Sequence, residues 1–227
     1  ELGFTASGGE AKRKLAEGAV RLDGEVLSDP AQLLTLPPGG EATASALYGS
    51  VLELCEEADQ LGCASIWLSE HHLFDDGYLP QPLTFAAAVA ARTRRARIGT
   101  AILIAPLHHP VEVAEQSVVI DVLSDGRLDL GLGAGYRVPE FELYGAELEG
   151  RYGATMRCAE EVRRLWRTVT PHPVQQALPI WLGFQGPQGA GRAGRAGDGL
   201  LSADAALWAP YREGLLAGGH DPAAGRM

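Results

Sequence analysis

Two pairs of adjacent histidines are the residues of this chain whose type and spacing best suit chemistry. His71-His72 follow Glu70 at the end of the apolar run in WLSEHHLF, and His108-His109 follow the run in AILIAPL. Three roles suit a carboxylate next to two imidazoles: a metal site, acid/base chemistry, or a strand end held by hydrogen bonds. The repetition at two similar places favours a common functional region.

A metal site is the role that the spacing favours least. Adjacent side chains on an extended backbone point to opposite faces, so His71 and His72 would diverge. Neither pair has the helical spacing of HExxH, and the three cysteines show no CxxC spacing. We therefore predict no metal and three reduced thiols. Two alternatives stay open for a histidine of the first pair: an acid/base or substrate-polarising role, and structural hydrogen bonding to the backbone or to Glu70.

Helices that alternate with short apolar strands would position these histidines from about Leu47 onwards. Such alternation predicts a parallel sheet covered by helices. Five strands can be recognised, in CASIWLSE, ARIGTAILIAP, RLDLGLGAG, PIWLGF and GDGLLSA. No GxGxxG follows the first strand to favour a dinucleotide-binding open sheet, but in a barrel or an open sheet alike the functional groups lie at the C-terminal strand ends. Both histidine pairs follow such ends.

Two glycine-rich strand ends add candidate cofactor-binding residues. In GLGAGYR, backbone amides could approach an anionic or planar ligand, and FQGPQG begins a helix whose free amides could receive a phosphate. A tight turn would use the same glycines, which is the simpler alternative. The candidate residues are Ala134, Gly135, Tyr136, Arg137, Phe184, Gln185 and Gly186.

Composition and charge disfavour several classes of partner. The formal net charge is −10, which opposes nonspecific binding to nucleic acid or to an anionic membrane. No apolar run approaches the roughly 20 residues of a membrane span, and the start of the chain lacks the form of a signal peptide. We expect a soluble cytoplasmic protein.

The motifs assembled so far resemble those of the bacterial luciferase-like family of flavin- or deazaflavin-dependent oxidoreductases. The resemblance is carried, in family order from about Leu52 to Asp221, by IWLSEHHL, RIGTAILIAPLHHPVEVAEQ, VLSDGRLDLGLGAGYRVPEFELYG and PIWLGFQGPQGAGRAGRAGDGLL. It implies a (β/α)8 TIM-barrel fold of the α/β class and FMN, or alternatively coenzyme F420, as cofactor. It also implies oxidation or monooxygenation of a small organic substrate, and a homodimer, since family members are often dimers.

The same resemblance implies roles for individual residues. His71 matches the family position that faces the flavin and the substrate, where it acts in acid/base or intermediate-stabilising roles. Ala101 and Ile102 match the point at which many members place a non-proline cis peptide behind the isoalloxazine ring. Residues 134–137 and 184–187 match the segments that hold the cofactor tail and phosphate, although FQGP stands where other members often have Ser or Thr.

The chain departs from the family in the number of its strands. Five are recognisable against the eight of such a barrel. EATASALYGS has no apolar strand before the helix predicted near Ser50, and two further strand-helix units would be expected after Met227. The sequence therefore predicts an incomplete, truncated barrel over residues 50–227. Two alternatives follow, an active oxidoreductase and a domain that is inactive because its pocket is incomplete.

Residues 1–40 are predicted to form a separate small α+β segment, joined to the barrel by a linker at 41–49. SGGEAKRKLAEGAVRLDGEVLSD resembles the S4-type RNA-binding domain of bacterial tyrosyl-tRNA synthetases, with a helix capped at Ser7 and a hairpin around Asp23-Gly24. The resemblance implies RNA contact through a basic helix face, for which a solvated face is the simpler alternative. The residues of that face are Lys12, Arg13 and Lys14. RNA binding, with the barrel as a scaffold, is thus the alternative function.

Overall fold

The computed structural model describes residues 43–227 and, before them, the backbone of residues 21–22 and 25–26. The chain divides into two compact units, Glu1–Tyr48 and Gly49–Met227. In the first unit, strands β1 (Arg21–Leu22) and β2 (Glu25–Val26) pair in antiparallel fashion, which agrees with the predicted hairpin. The helix predicted after Ser7 lies outside the described residues, and so do Lys12, Arg13 and Lys14. The S4-like resemblance and its RNA contact therefore stay predictions.

Seven α-helices occur in the described part of the chain. They are α1 (Ala44–Gln60), α2 (Pro82–Arg92), α3 (Pro110–Ser124), α4 (Val138–Tyr144), α5 (Arg151–Leu165), α6 (Pro187–Ala196) and α7 (Trp208–Ala217). Four of them, α2, α3, α4 and α6, have proline in the first two positions. Proline suits that place because its missing N–H would have no acceptor inside the helix.

The first helix begins earlier than the sequence pattern indicated. α1 starts at Ala44, six residues before Ser50, so most of the predicted linker at 41–49 is helical. Thr43 explains the start, because its Oγ1 accepts a hydrogen bond from the backbone N–H of Ala46 at 3.2 Å. The alanines and the leucine that follow have a high helix propensity, so a helix forms here although the segment lacks an amphipathic pattern.

The strands of the second unit form one parallel sheet. They are β3 (Ser65–Leu68), β4 (Arg97–Thr100), β5 (Leu103–Ile104), β6 (Leu128–Gly133), β7 (Ile180–Leu182) and β8 (Gly199–Leu200). The order is β3-β4-β6-β7-β8, with β5 also paired to β6. Successive strands are thus neighbours without a reversal of order, which is the topology of a barrel and not of a doubly wound sheet.

All five predicted strands are present, and one of them is interrupted. The strand predicted from ARIGTAILIAP is divided into β4 and β5, and the peptide bond between Ala101 and Ile102 in the gap is cis, as the family resemblance implied. Within the described residues β3 pairs only with β4, and β8 pairs only with β7. The sheet is therefore an open arc, which agrees with the prediction of an incomplete barrel in this chain.

The two faces of the arc differ in their side chains. On the outer face Ile98, Leu130 and Leu182 are buried among the helices. On the inner face Trp67 lies over Gly99 of the next strand, where a Cβ would come within 2.3 Å of the indole ring. Trp181 lies over Gly199 in the same way. The two indole rings meet edge to face at 5.8 Å although two strands separate them, so the sheet curls strongly.

None of the helices in the described part of the chain combines the length and the apolar character that crossing a membrane requires.

The three cysteines are free, and burial raises the pKa of the Cys158 thiol to about 11, which keeps it protonated at neutral pH.

Candidate functional site

Glu70, two residues beyond strand β3, joins its own segment to the one that follows β4 at the C-terminal edge of the sheet. Its Oε1 accepts hydrogen bonds from Nε2 of His72 at 2.8 Å and from Nε2 of His108 at 2.7 Å. Its Oε2 accepts from the backbone N–H of Ile104 in β5 at 2.6 Å. Both carboxylate oxygens are therefore used, and the side chain is fully buried. We conclude that Glu70, His72 and His108 hold the ends of neighbouring strands together.

Both residues of the second histidine pair make structural hydrogen bonds. His108 belongs to the Glu70 cluster, and His109 is the N-cap of α3, where its Nδ1 accepts from the backbone N–H of Val111 at 3.3 Å. Structural hydrogen bonding, the simpler alternative for a histidine at a strand end, thus describes three of the four paired histidines. His71 is the exception.

His71 turns away from Glu70 and contacts a second buried glutamate. Its Nδ1 lies 2.9 Å from Oε1 of Glu140 in α4, and the same oxygen accepts from the backbone N–H of His72 and from Nη1 of Arg137, both at 3.0 Å. The divergence of His71 and His72 agrees with the alternation expected of extended backbone. Oε2 of Glu140 is buried and receives no hydrogen bond from the described part of the chain.

The charge of Glu140 is fixed by these donors. Burial alone would raise the pKa of its carboxyl, but the hydrogen bonds from the His72 amide, the His71 ring and the Arg137 guanidinium outweigh burial and lower the pKa below its ordinary value. Glu140 is therefore an ionised carboxylate at neutral pH. A buried negative charge therefore lies directly beside the imidazole of His71.

Aromatic rings surround His71 on its open side. The centroids of Tyr78, Phe74 and Tyr136 lie 5.0, 5.5 and 5.9 Å from that of the imidazole, each in an edge-to-face arrangement. The rings of Phe74, Tyr78 and Tyr136 are exposed, whereas the His71 side chain is only 20% exposed. The arrangement makes an apolar mouth with a single imidazole at its base. No hydrogen bond from the described residues reaches Nε2 of His71.

The glycines of the GLGAG strand end prove to serve packing. The side chain of Ile102 occupies the space above Gly133 and Gly183, where added Cβ atoms would come within 2.5 and 2.4 Å of it. Gly135 has φ +67°, and a Cβ there would lie 2.6 Å from Ile104. Close packing of neighbouring strands, and not only the tight turn given as the simpler alternative, therefore involves these glycines in the structure. Ala134 is buried beside them.

Arg137 makes contacts within the protein. Its Nη1 donates to Glu140 and to the backbone carbonyl of His72 at 2.8 Å, and its guanidinium lies 4.1 Å from the centroid of Phe74. The cause is local, because Arg137 is the N-cap of α4 and so stands three residues before Glu140 on the same helix. Tyr136, by contrast, projects into solvent. The role of Arg137 toward a cofactor tail stays a prediction.

The FQGP segment offers a ligand mainly backbone groups, and it borders an open space beside Gly186. Phe184 is 1% exposed and its ring packs near Tyr152, so only its main chain could face a ligand. Gln185 is exposed. Gly186 caps α6 with φ +106°, and a Cβ on it would meet no atom within 4 Å. The first amides of α6 therefore border a space into which an anion could fit.

Sequence reasoning missed Glu140, the residue that contacts His71. Its helix, α4, has seven residues and was not predicted, because so short a helix shows no clear apolar period. The available signals were Pro139 in the first helical turn and the three-residue spacing from Arg137. Among the described residues, no group of three or more His, Cys, Asp or Glu side chains is placed to hold a metal ion.

Comparison with known proteins identifies the family of the chain. A sequence model of the family described as luciferase-like monooxygenase matches residues 32–225, so the match begins earlier than Leu47, within the segment predicted to be S4-like. The chain is 31% identical over 166 residues to the oxygenase component of a flavin-dependent trigonelline monooxygenase from Acinetobacter baylyi, covering 65% of this chain and 46% of that protein. It is 29% identical over 174 residues to an F420-dependent glucose-6-phosphate dehydrogenase from Amycolatopsis mediterranei, covering 66% of this chain and 52% of that protein.

A solved structure shows the same fold. The crystal structure of monooxygenase RslO1 from Streptomyces bottropensis superposes with a TM-score of 0.75 at 29% identity, over 80% of this chain and 64% of that chain. The chain thus spans about half the length of the curated relatives named above.

Proposed function

Because the chain belongs to the luciferase-like monooxygenase family, we propose that it takes part in flavin-dependent oxidation or monooxygenation of a small organic substrate. FMN is the cofactor we propose first, and coenzyme F420 is the alternative, since relatives of both kinds are similar to it. The single observation that carries the proposal is His71, whose Nδ1 is held by a buried carboxylate while its Nε2 has no partner among the described residues.

The residues present fit a planar group that carries a phosphate. We assign the phosphate to the first amides of α6 beside Gly186, where the space is open and the positive end of the helix dipole favours an anion. We assign the ring to the side of Ala101 and Ile102, which lie between β4 and β5 at the same edge of the sheet. When bound, the flavin supplies the redox chemistry.

The protein's own contribution is to hold and orient the substrate. His71 would accept a proton at Nε2, or donate one from it, at the base of the aromatic mouth. Phe74, Tyr78 and Tyr136 would exclude water from the substrate and favour an apolar or aromatic molecule over a highly charged one. A homodimer remains part of the proposal on the family resemblance alone, and sedimentation of the purified chain tests it.

Cofactor binding is the first test. Titration of the purified chain into FMN should quench the flavin fluorescence saturably, and F420 is titrated in parallel. Binding of either supports the proposal. Failure of both to bind would contradict it and favour the alternative of an incomplete, inactive pocket.

A matched pair of glycine variants locates the phosphate. Gly186→Ala should weaken binding, because a side chain at φ +106° strains the turn that presents the helix amides. Gly145→Ala is the control, since Gly145 also has a positive φ, +62°, with no atom near its Cβ position, but caps α4 instead. Equal loss of FMN binding in both variants would place the phosphate elsewhere.

A further inference from the structure

Three donors converge on a single oxygen of Glu140. The His71 ring, the His72 amide and the Arg137 guanidinium all reach Oε1 within 3.0 Å, while Oε2 has no hydrogen-bond partner among residues 43–227. A carboxylate that only tied segments together would be expected to use both oxygens, because an unsatisfied buried acceptor is costly. The arrangement instead concentrates donors on the oxygen that faces His71.

The direction of the hydrogen bond between His71 and Glu140 follows from charge. The neighbouring donors lower the pKa of Glu140, so its carboxyl is ionised at neutral pH and can only accept. The hydrogen in the 2.9 Å contact must therefore be on Nδ1 of His71. A neutral imidazole carries one ring proton, so Nε2 is then a bare acceptor.

We infer that Glu140 is a positioning residue that fixes the ring tautomer of His71, keeping the proton on Nδ1 and presenting Nε2 as an acceptor toward the aromatic mouth. Arg137 supports this role, since its guanidinium is held between Glu140, the His72 carbonyl and the Phe74 ring. The inference rests on the proposed function for its catalytic meaning. Its structural content, the tautomer, can be measured without any cofactor.

His71 and His72 also differ in the ring nitrogen that bonds to a carboxylate. His72 bonds through Nε2 to Glu70, and His71 bonds through Nδ1 to Glu140. A carboxylate acceptor at each position therefore places the proton on opposite nitrogens of two adjacent rings. For His72 this leaves Nδ1 inside a buried side chain, whereas for His71 it leaves Nε2 in a side chain that solvent partly reaches.

Nitrogen NMR of the whole chain tests the inference. The protein is labelled with ¹⁵N-histidine, and long-range ¹H–¹⁵N correlations are recorded at a pH where His71 is neutral; the His71 signals are assigned by their loss in His71→Gln. We expect the proton-bearing nitrogen of His71 to be Nδ1. A wild-type His71 with its proton on Nε2 would overturn the inference without any further variant.

Three variants separate positioning from mere folding. Glu140→Leu removes the acceptor at Nδ1, so His71 should lose its preference for the Nδ1 tautomer and the proton should move to Nε2. Glu140→Gln keeps an acceptor, because the His72 amide and the Arg137 guanidinium would hold the amide oxygen at the place of Oε1, and should retain the Nδ1 tautomer. Glu142→Gln, an exposed neighbour on α4, should leave the spectrum of His71 unchanged. A folded Glu140→Leu protein that retains the Nδ1 tautomer would overturn the inference.

The outcomes also distinguish the inference from the proposed function. If wild type fails to bind FMN and F420 but the tautomer follows Glu140 as described, the proposed function fails and the positioning role stands. If wild type binds FMN and the tautomer of His71 ignores Glu140, the positioning role fails and the proposed function stands.

Discussion

Glu70 and Glu140 are both buried glutamates that accept hydrogen bonds from histidine, and they differ in how their oxygens are used. Glu70 distributes three donors over two oxygens, and those donors come from two segments, the one after β3 and the one that runs from β5 to His108. Glu140 receives three donors on one oxygen, and its other oxygen has no hydrogen bond from the described residues. Saturation is what a buried polar group needs for stability, so an incompletely used one calls for an explanation other than stability.

The histidines that contact the two glutamates differ in their exposure to solvent. The side chain of His72 on Glu70 is 5% exposed, and that of His71 on Glu140 is 20% exposed. His72 therefore belongs to a buried, stabilising cluster, whereas the adjacent His71 borders an open pocket. We expect the Glu70 cluster to contribute more to the folding free energy and the Glu140 cluster to contribute more to function.

The largest expected effect on stability is at Glu70. Glu70→Ala should lower the free energy of unfolding by about 3–5 kcal/mol, since it leaves the donors of His72, His108 and Ile104 buried without acceptors. Urea denaturation followed by circular dichroism measures the change. Glu142→Ala on the exposed face of α4 is the control and should change stability by less than about 0.5 kcal/mol. A larger loss in Glu140→Ala than in Glu70→Ala would break the comparison.

A smaller, pH-dependent effect is expected at Glu140. Its pKa is lower in the folded protein than in the unfolded chain, so ionisation stabilises the fold above the unfolded pKa, and that stability is lost as the pH falls through the folded pKa. Wild type should exceed Glu140→Gln in stability by about 1.5–3 kcal/mol at neutral pH, as for hydrogen bonds to a charged group. The difference should shrink as the pH drops below about 4.3, the ordinary value for glutamate.

Urea titrations of both proteins at several pH values measure this difference. A gap between wild type and Glu140→Gln that stays constant from neutral to strongly acidic pH would mean that the charge of Glu140 contributes nothing. The concentration of donors on Oε1 would then be a packing feature, and the contrast with Glu70 would lose its electrostatic basis.

A third prediction tests whether the strand-end glycines belong to the stabilising part of the edge. Gly133→Ala should cost about 1–3 kcal/mol through overpacking, because the new methyl group would meet the Ile102 side chain. Trimming the neighbour in Gly133→Ala/Ile102→Ala should recover part of that loss. No recovery in the double variant would mean that the glycine serves something other than this contact.

The sequence predicted the scaffold better than the site. The five strands and the amphipathic helices follow from apolar periodicity, and His71 follows from its place at a strand end together with the family motif. The pairing of Glu70 with His108 could not be predicted, because 38 residues separate them and periodicity carries no information on such contacts. Glu140 was missed because α4 is too short to show a period.

The interruption of the second strand was anticipated only through the family resemblance. Apolar residues continue from β4 into β5, so nothing in the pattern of ARIGTAILIAP marks a break at Ala101. The roles of the glycines were left open for a related reason. A glycine that admits a ligand and one that admits Ile102 look the same in sequence, and only the contacts of the folded chain distinguish them.

The smallest expected change in stability is at His71. It is the strictest test of the difference between the Glu70 and Glu140 clusters. His71→Asn should alter the free energy of unfolding by less than about 1 kcal/mol, since the side chain is partly exposed and Glu140 keeps its other two donors. His72→Asn, the matched change one residue on, should cost about 1–3 kcal/mol, because it removes a buried donor from Glu70. If both variants lose the same stability, the two histidines do not divide scaffold from site, and the partial exposure of His71 has no functional meaning.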